Sequence, residues 1–137
     1  MQFYLSIFLI VTAMTLSLRT LFIPNKIKGK QLSFENFLTL ALTYATVMAG
    51  FGLLYYLLEH RGIAVLSGGG FRELTTSYER MATSVYFSAV TLFSVGYGDI
   101  APVGIGRIIA VLEALIGYTI PAAFVTRVVF EREKNSI

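Results

Sequence analysis

Residues 91–100 read TLFSVGYGDI, two glycines around a tyrosine with a serine and a valine before them and an aspartate after, set between stretches apolar enough to lie in a bilayer. Glycine adopts positive φ at little cost, so this run suits irregular backbone rather than a helix or strand. Irregular peptide cannot face lipid, because each N–H or C=O left unpaired there costs several kcal/mol. Such a loop must be shielded by protein or line a watery path.

The composition identifies the solvent. Of 137 residues, 55% are hydrophobic and 14% charged, with a mean hydropathy of +0.71, against roughly 25% charged in an ordinary soluble domain. The chain is therefore an integral membrane protein. Three apolar spans and their loops use nearly all of its length, so no soluble sensor or ligand-binding domain is expected. Cysteine is absent, which excludes disulfides and thiol chemistry and leaves the redox compartment unread. The net charge of +3 is spread beside the spans and speaks of topology, not of nucleic acid.

Residues 37–58, FLTLALTYATVMAGFGLLYYLL, run 22 positions without a charge, more than the ~20 needed to cross the hydrocarbon core. Residues 108–126 form a second span, interrupted by Glu113, Gly117 and Pro121, and closed by Arg127 and EREK. Proline removes an internal hydrogen bond and glycine loosens the coil, so this helix is marked for bending. The first 18 residues are also uncharged and lack the basic start and cleavage site of a secretory signal. They are expected to form a third transmembrane helix or a helix lying along the inner membrane surface.

Arg19, Lys26, Lys28 and Lys30 carry no acidic counterpart in the segment before the 37–58 span, whereas the charges of residues 59–107 balance. By the positive-inside rule the basic segment is cytoplasmic, the loop with SVGYGD faces outward and the EREK tail returns inside. If residues 1–18 cross, the N-terminus lies outside. Residues 1–33 thus hold an N-terminal helix and basic linker, 34–130 the two later spans with the loop between them, and 131–137 a short cytoplasmic tail.

Residues 59–75, with SGGG at 67–70, read as a flexible external loop. SGGG has a superficial likeness to the glycine-rich loops of esterases, but no G-x-S-x-G follows and the only histidine is His60, at a membrane edge. An enzyme is not expected. Thr76 and Glu79 then form a T-x-x-E capping box, followed by a helix of about four turns through RMATSVYFSAVTLF. That helix is too short to cross and delivers the chain into SVGYGD at membrane depth. Alternating Gly96 and Gly98 with Val95 and Tyr97 allows successive carbonyls to point the same way. Four copies around an axis would stack rings of oxygen dipoles able to replace the hydration shell of a monovalent cation. One chain carries one such loop, so this use requires a homotetramer of closed cyclic symmetry.

At these residues the sequence resembles the potassium channel family, in its bacterial two-helix form, over roughly residues 34–130. The likeness rests on SVGYGD, preceded by Thr91 and followed by Pro102 and Val103, placed after a short helix and between two spans. It implies an all-α membrane fold of outer helix, re-entrant pore helix, filter loop and inner helix, here with one N-terminal helix added. It further implies that the carbonyls of Ser94, Val95, Gly96 and Tyr97 hold K+, with the Ser94 hydroxyl as the innermost ring and Gly98 completing the filter. The family usually has threonine at position 94; serine keeps the oxygen and loses the methyl that restricts its rotamer.

The resemblance implies support for the filter from Tyr86, Thr91 and Asp99. Tyr97 would pack away from the pore in an aromatic collar with Tyr86 and Phe87, which are otherwise ordinary interfacial aromatics. Val90 stands where some relatives have a glutamate, so Asp99 lacks a carboxylate partner, and the Tyr86 hydroxyl becomes the candidate to hold it. Gly117 lies eleven positions after Gly106, a spacing similar to that of the inner-helix hinge in relatives. Pro121 would bend the helix one turn further on, with or without a gating role. The link from Pro102 to Arg107 is one residue shorter than in some relatives.

Glu113 is an acid inside a span, and two roles compete. It could face a cavity beneath the filter and concentrate cations there, or face protein, neutral or hydrogen-bonded to Ser88 or Thr91. The resemblance at Gly117 implies a cavity side running through Ala114, Tyr118, Pro121 and Val125, and about 100° per residue then turns Glu113 toward the pore helix or a neighbouring subunit, which favours the second role. Arg19 is alone in its span, so no charged-helix voltage sensor is expected, and a gate would lie in the filter, near Val125 to Phe130, or in a partner subunit. The expected function is passive, selective K+ conduction in a prokaryotic plasma membrane, by a multi-pass protein needing no cofactor and no reaction. Its partners are K+, lipid and its own copies, without nucleic acid. A weakly selective cation channel and a non-conducting regulatory or structural subunit are the alternatives.

Overall fold

In a bilayer the backbone must pair with itself, so the apolar runs become helices. The computed structural model describes residues 2–22 and 34–134. Four helices follow in order: α1 (Gln2–Phe22), α2 (Phe34–His60), α3 (Ser77–Leu92) and α4 (Gly106–Lys134). The segments Asn36–His60 and Gly106–Arg127 are long and apolar enough to cross a membrane, and only 28% and 17% of their most apolar windows are buried within the chain. They are therefore not the core helices of a soluble protein. Most of their surface is left for lipid or neighbouring subunits.

The core forms where α3 wedges between α2 and α4. From α2, Val47, Phe51 and Tyr55 are buried at helical spacing, and from α4, Ala110, Glu113, Gly117 and Ile120. Ser84, Phe87 and Ser88 of α3 fill the space between. The start of α3 is held as its sequence foretells, the Glu79 carboxylate accepting the Thr76 N–H at 3.3 Å. Gly52 lets α3 come close, since a Cβ there would strike Val85.

α1 runs antiparallel along α2. The Arg61 guanidinium lies 3.9 Å over the Phe3 ring, and Met14 fills the space beside Gly50 that a Cβ would need. Eleven residues separate Phe3 from Met14, and eleven separate Gly50 from Arg61, so the two helices keep pace. Lys26, Lys28 and Lys30, on which the topology expectation rests, lie outside the described residues.

The segment after α2 departs from expectation. In place of a flexible loop it holds strand β1 (Leu66–Gly68), antiparallel to β2 (Ile100–Pro102) with Leu66 opposite Pro102 and Gly68 opposite Ile100, followed by a single 3-10 turn at Phe71–Glu73. Two causes are visible. The Glu59 carboxylate accepts the Val65 and Leu66 N–H groups at 2.6 and 2.8 Å, and Phe71 is buried under the turn. The glycines of SGGG provide a turn, with Gly68, Gly69 and Gly70 all at positive φ.

Candidate functional site

The site is built on the C-terminal end of α3. A helix ends with four carbonyls lacking partners, and here the following loop supplies the donors. Phe93 N–H bonds to Ala89 O at 3.0 Å, Ser94 N–H to Thr91 O at 3.1 Å, and Val95 N–H to Val90 O at 2.9 Å. The loop amides are thereby turned back into the helix. Beyond them, φ is positive at Ser94 (56°), Gly96 (62°) and Gly98 (76°) and not at the residues between. Alternation of this kind undoes the strand rule that sends successive carbonyls to opposite sides. A non-glycine residue at positive φ is strained, and a β-branched one more so, so serine suits position 94 better than threonine would in this backbone. Residues 93–99 are exposed in the single chain.

The exit of the loop is pinned from two directions. The Tyr86 hydroxyl donates to Asp99 Oδ2 at 2.9 Å, and this bond raises the phenol pKa above its ordinary value. The β1–β2 pair holds Ile100, and a Cβ on Gly68 would strike the Asp99 carbonyl. Tyr86, Thr91 and Asp99 thus all touch the loop or its hydrogen bonds. Of the aromatics expected around Tyr97, Phe87 packs elsewhere. Phe87 is buried against Tyr55 of α2, edge to face at 5.1 Å, while the Tyr97 ring is 71% exposed in the single chain.

Beneath the loop, Glu113 is fully buried and joins three helices. The Tyr55 hydroxyl donates to its Oε2 at 2.9 Å, and its Oε1 shares a short hydrogen bond with Ser88 Oγ. Ser88 Oγ is also 2.9 Å from the Met48 carbonyl. A serine hydroxyl has one hydrogen, and a carbonyl can only accept. A neutral Glu113 satisfies every group: Ser88 donates to Met48, the carboxyl donates to Ser88, and Tyr55 donates to the carboxyl. The side chain faces protein and not a cavity, while Tyr118, Pro121 and Val125 of α4 are exposed.

Gly117 is buried where α4 crosses the end of α3, and a Cβ would collide with the Leu92 carbonyl. That close approach is itself sufficient reason for a glycine. Pro121 sits inside α4, which continues through it. Sequence reasoning missed Tyr55, Glu59 and Tyr44. Tyr55 lies eight residues after Val47 on the buried face of α2, a periodicity that marks it as core.

A family model described as ion channel matches residues 43–130, from the middle of α2 to near the end of α4. Protein LctB of Geobacillus stearothermophilus is 38% identical over 127 residues, covering 92% of this chain and 95% of that protein. Protein LctB of Bacillus caldotenax is 41% identical over 101 residues, covering 74% and 75%. No solved structure matches. With the matched segment containing both long apolar helices, α3 and the loop between them, the chain belongs to the ion channel family in its bacterial two-transmembrane-helix form.

Proposed function

We propose that the chain is the subunit of a homotetrameric, potassium-selective channel in which residues 94–98 form the filter. The observation that carries this reading is the backbone of the loop: positive φ at every second residue, with the amides of Ser94 and Val95 committed to α3. Carbonyls freed in this way can replace the hydration shell of a dehydrated cation without a fixed charge to trap it. The exposure of residues 93–99 in one chain supports the tetramer, because irregular backbone at membrane depth needs protein or water around it. Conduction is passive and involves no bond making. K+ binds at the carbonyls of Ser94, Val95, Gly96 and Tyr97, and no other cofactor takes part.

α1 is a third crossing in this proposal. A helix lying on the membrane surface would stand across α2, whereas α1 follows α2 from Phe3 at Arg61 to Met14 at Gly50. With the basic linker inside, the N-terminus is outside. The test of the functional reading is ion flux from purified protein in liposomes: K+ and Rb+ pass and Na+ does not. Comparable Na+ flux would leave a weakly selective channel, and no flux would leave a non-conducting subunit.

A further inference from the structure

Pro121 leaves one rung of α4 without its helical donor. The carbonyl of Gly117, four residues earlier, would accept the N–H of residue 121, and proline has none. The structure fills the gap from another helix: the Tyr44 hydroxyl of α2 donates to Gly117 O at 2.9 Å. The same Tyr44 ring stacks on Phe93, with centroids 5.2 Å apart and planes 20° from parallel. Phe93 caps α3 and immediately precedes Ser94, and Gly117 itself abuts the Leu92 carbonyl. One side chain therefore touches both the weakened turn of the inner helix and the residue at the base of the filter loop.

We infer that Tyr44 is a positioning residue that couples bending of α4 at Gly117–Pro121 to the seating of the loop at Phe93 and Ser94. A bend at Pro121 reorients the Gly117 carbonyl. The Tyr44 hydroxyl must then follow it, dragging the ring on which Phe93 rests, or release it and leave an unpaired carbonyl in the membrane interior. Either way the inner helix and the filter loop cannot change independently. This inference rests on the conduction reading above.

The test is a double-mutant cycle read in planar bilayers. Tyr44→Phe keeps the stack and removes the hydroxyl, while Pro121→Ala returns an N–H to the Gly117 carbonyl from within α4. In the native background Tyr44→Phe shifts the closed-to-open equilibrium by about two- to tenfold, the weight of one hydrogen bond, with the K+ over Na+ permeability ratio unchanged. In the Pro121→Ala background the shift disappears, because the hydroxyl has become redundant. Tyr44→Leu, which also removes the stack, lowers the permeability ratio. Equal shifts in both backgrounds, no shift in the native one, or a native ratio in Tyr44→Leu would each overturn the inference. The same cycle on thermal unfolding in detergent needs no conduction. Non-additivity there supports the shared hydrogen bond even if the native protein fails to conduct, and additivity there overturns it even if conduction is selective.

Discussion

Replacing Glu113 separates a neutral structural acid from a charge that serves ions. In Glu113→Ala the Tyr55 hydroxyl loses its acceptor within a fully buried site, which costs about 1–3 kcal/mol. The truncation also vacates on the order of 50 Å³, worth about 1 kcal/mol at the usual cavity coefficient. The expected loss is about 2–4 kcal/mol per subunit, or roughly ten degrees in the unfolding midpoint. Glu113→Gln behaves differently. Its carbonyl accepts from Tyr55 and its amide donates to Ser88 as the carboxyl does, leaving one amide hydrogen unpaired, so the loss is held to about 1 kcal/mol. Conductance and block by internal magnesium are unchanged in this variant. The assay is thermal unfolding in detergent, paired with single-channel recording. Equal destabilisation by Gln and Ala, or a large fall in conductance with Gln, would show a working negative charge and refute the proton count.

Gly96→Ala and Gly98→Ala each place a side chain at positive φ in open space within the single chain, at about 1–2 kcal/mol per residue; the tetramer persists on native gels while K+-selective flux is lost, and a selective variant would contradict the filter assignment. Tyr86→Phe removes the bond to Asp99 from an exposed site, so the unfolding midpoint stays native while K+ flux decays faster after its onset; an undiminished time course would remove Tyr86 from the filter's support. Lys28→Cys is labelled by an impermeant thiol reagent only from the cytoplasmic side, and Ser67→Cys and Gln2→Cys only from outside; labelling of Gln2→Cys from inside would return α1 to the membrane surface.

What could be read in the sequence follows from what the membrane and local chemistry dictate. The spans at α2 and α4 were legible because hydrocarbon demands an uninterrupted apolar run, and α3 because T-x-x-E marks its start. Helical register, with the resemblance at Gly117, turned Glu113 toward α3 or a neighbouring subunit with Ser88 or Thr91 as its partner, and Ser88 is the one it meets. The strand at residues 66–68 was not legible, since it depends on burial of Phe71 and on pairing with residues 100–102, far along the chain. Glycines that look flexible in sequence are held by those distant partners. Phe87 was misdirected for a similar reason: its actual neighbour, Tyr55, lies on another helix 32 positions earlier in the chain. Tyr44 bonds to a carbonyl 73 positions away, and only the missing N–H of Pro121 hints that such a donor is needed.

The central claim is that residues 94–98 select K+ by backbone carbonyls. Its most direct test is the reversal potential of the reconstituted protein with K+ on one side of a planar bilayer and Na+ on the other. Each tenfold preference displaces the reversal by about 59 mV. The account predicts displacement of at least that size in the direction of K+ equilibrium, abolished in Gly96→Ala. A reversal near zero in the native protein would contradict it.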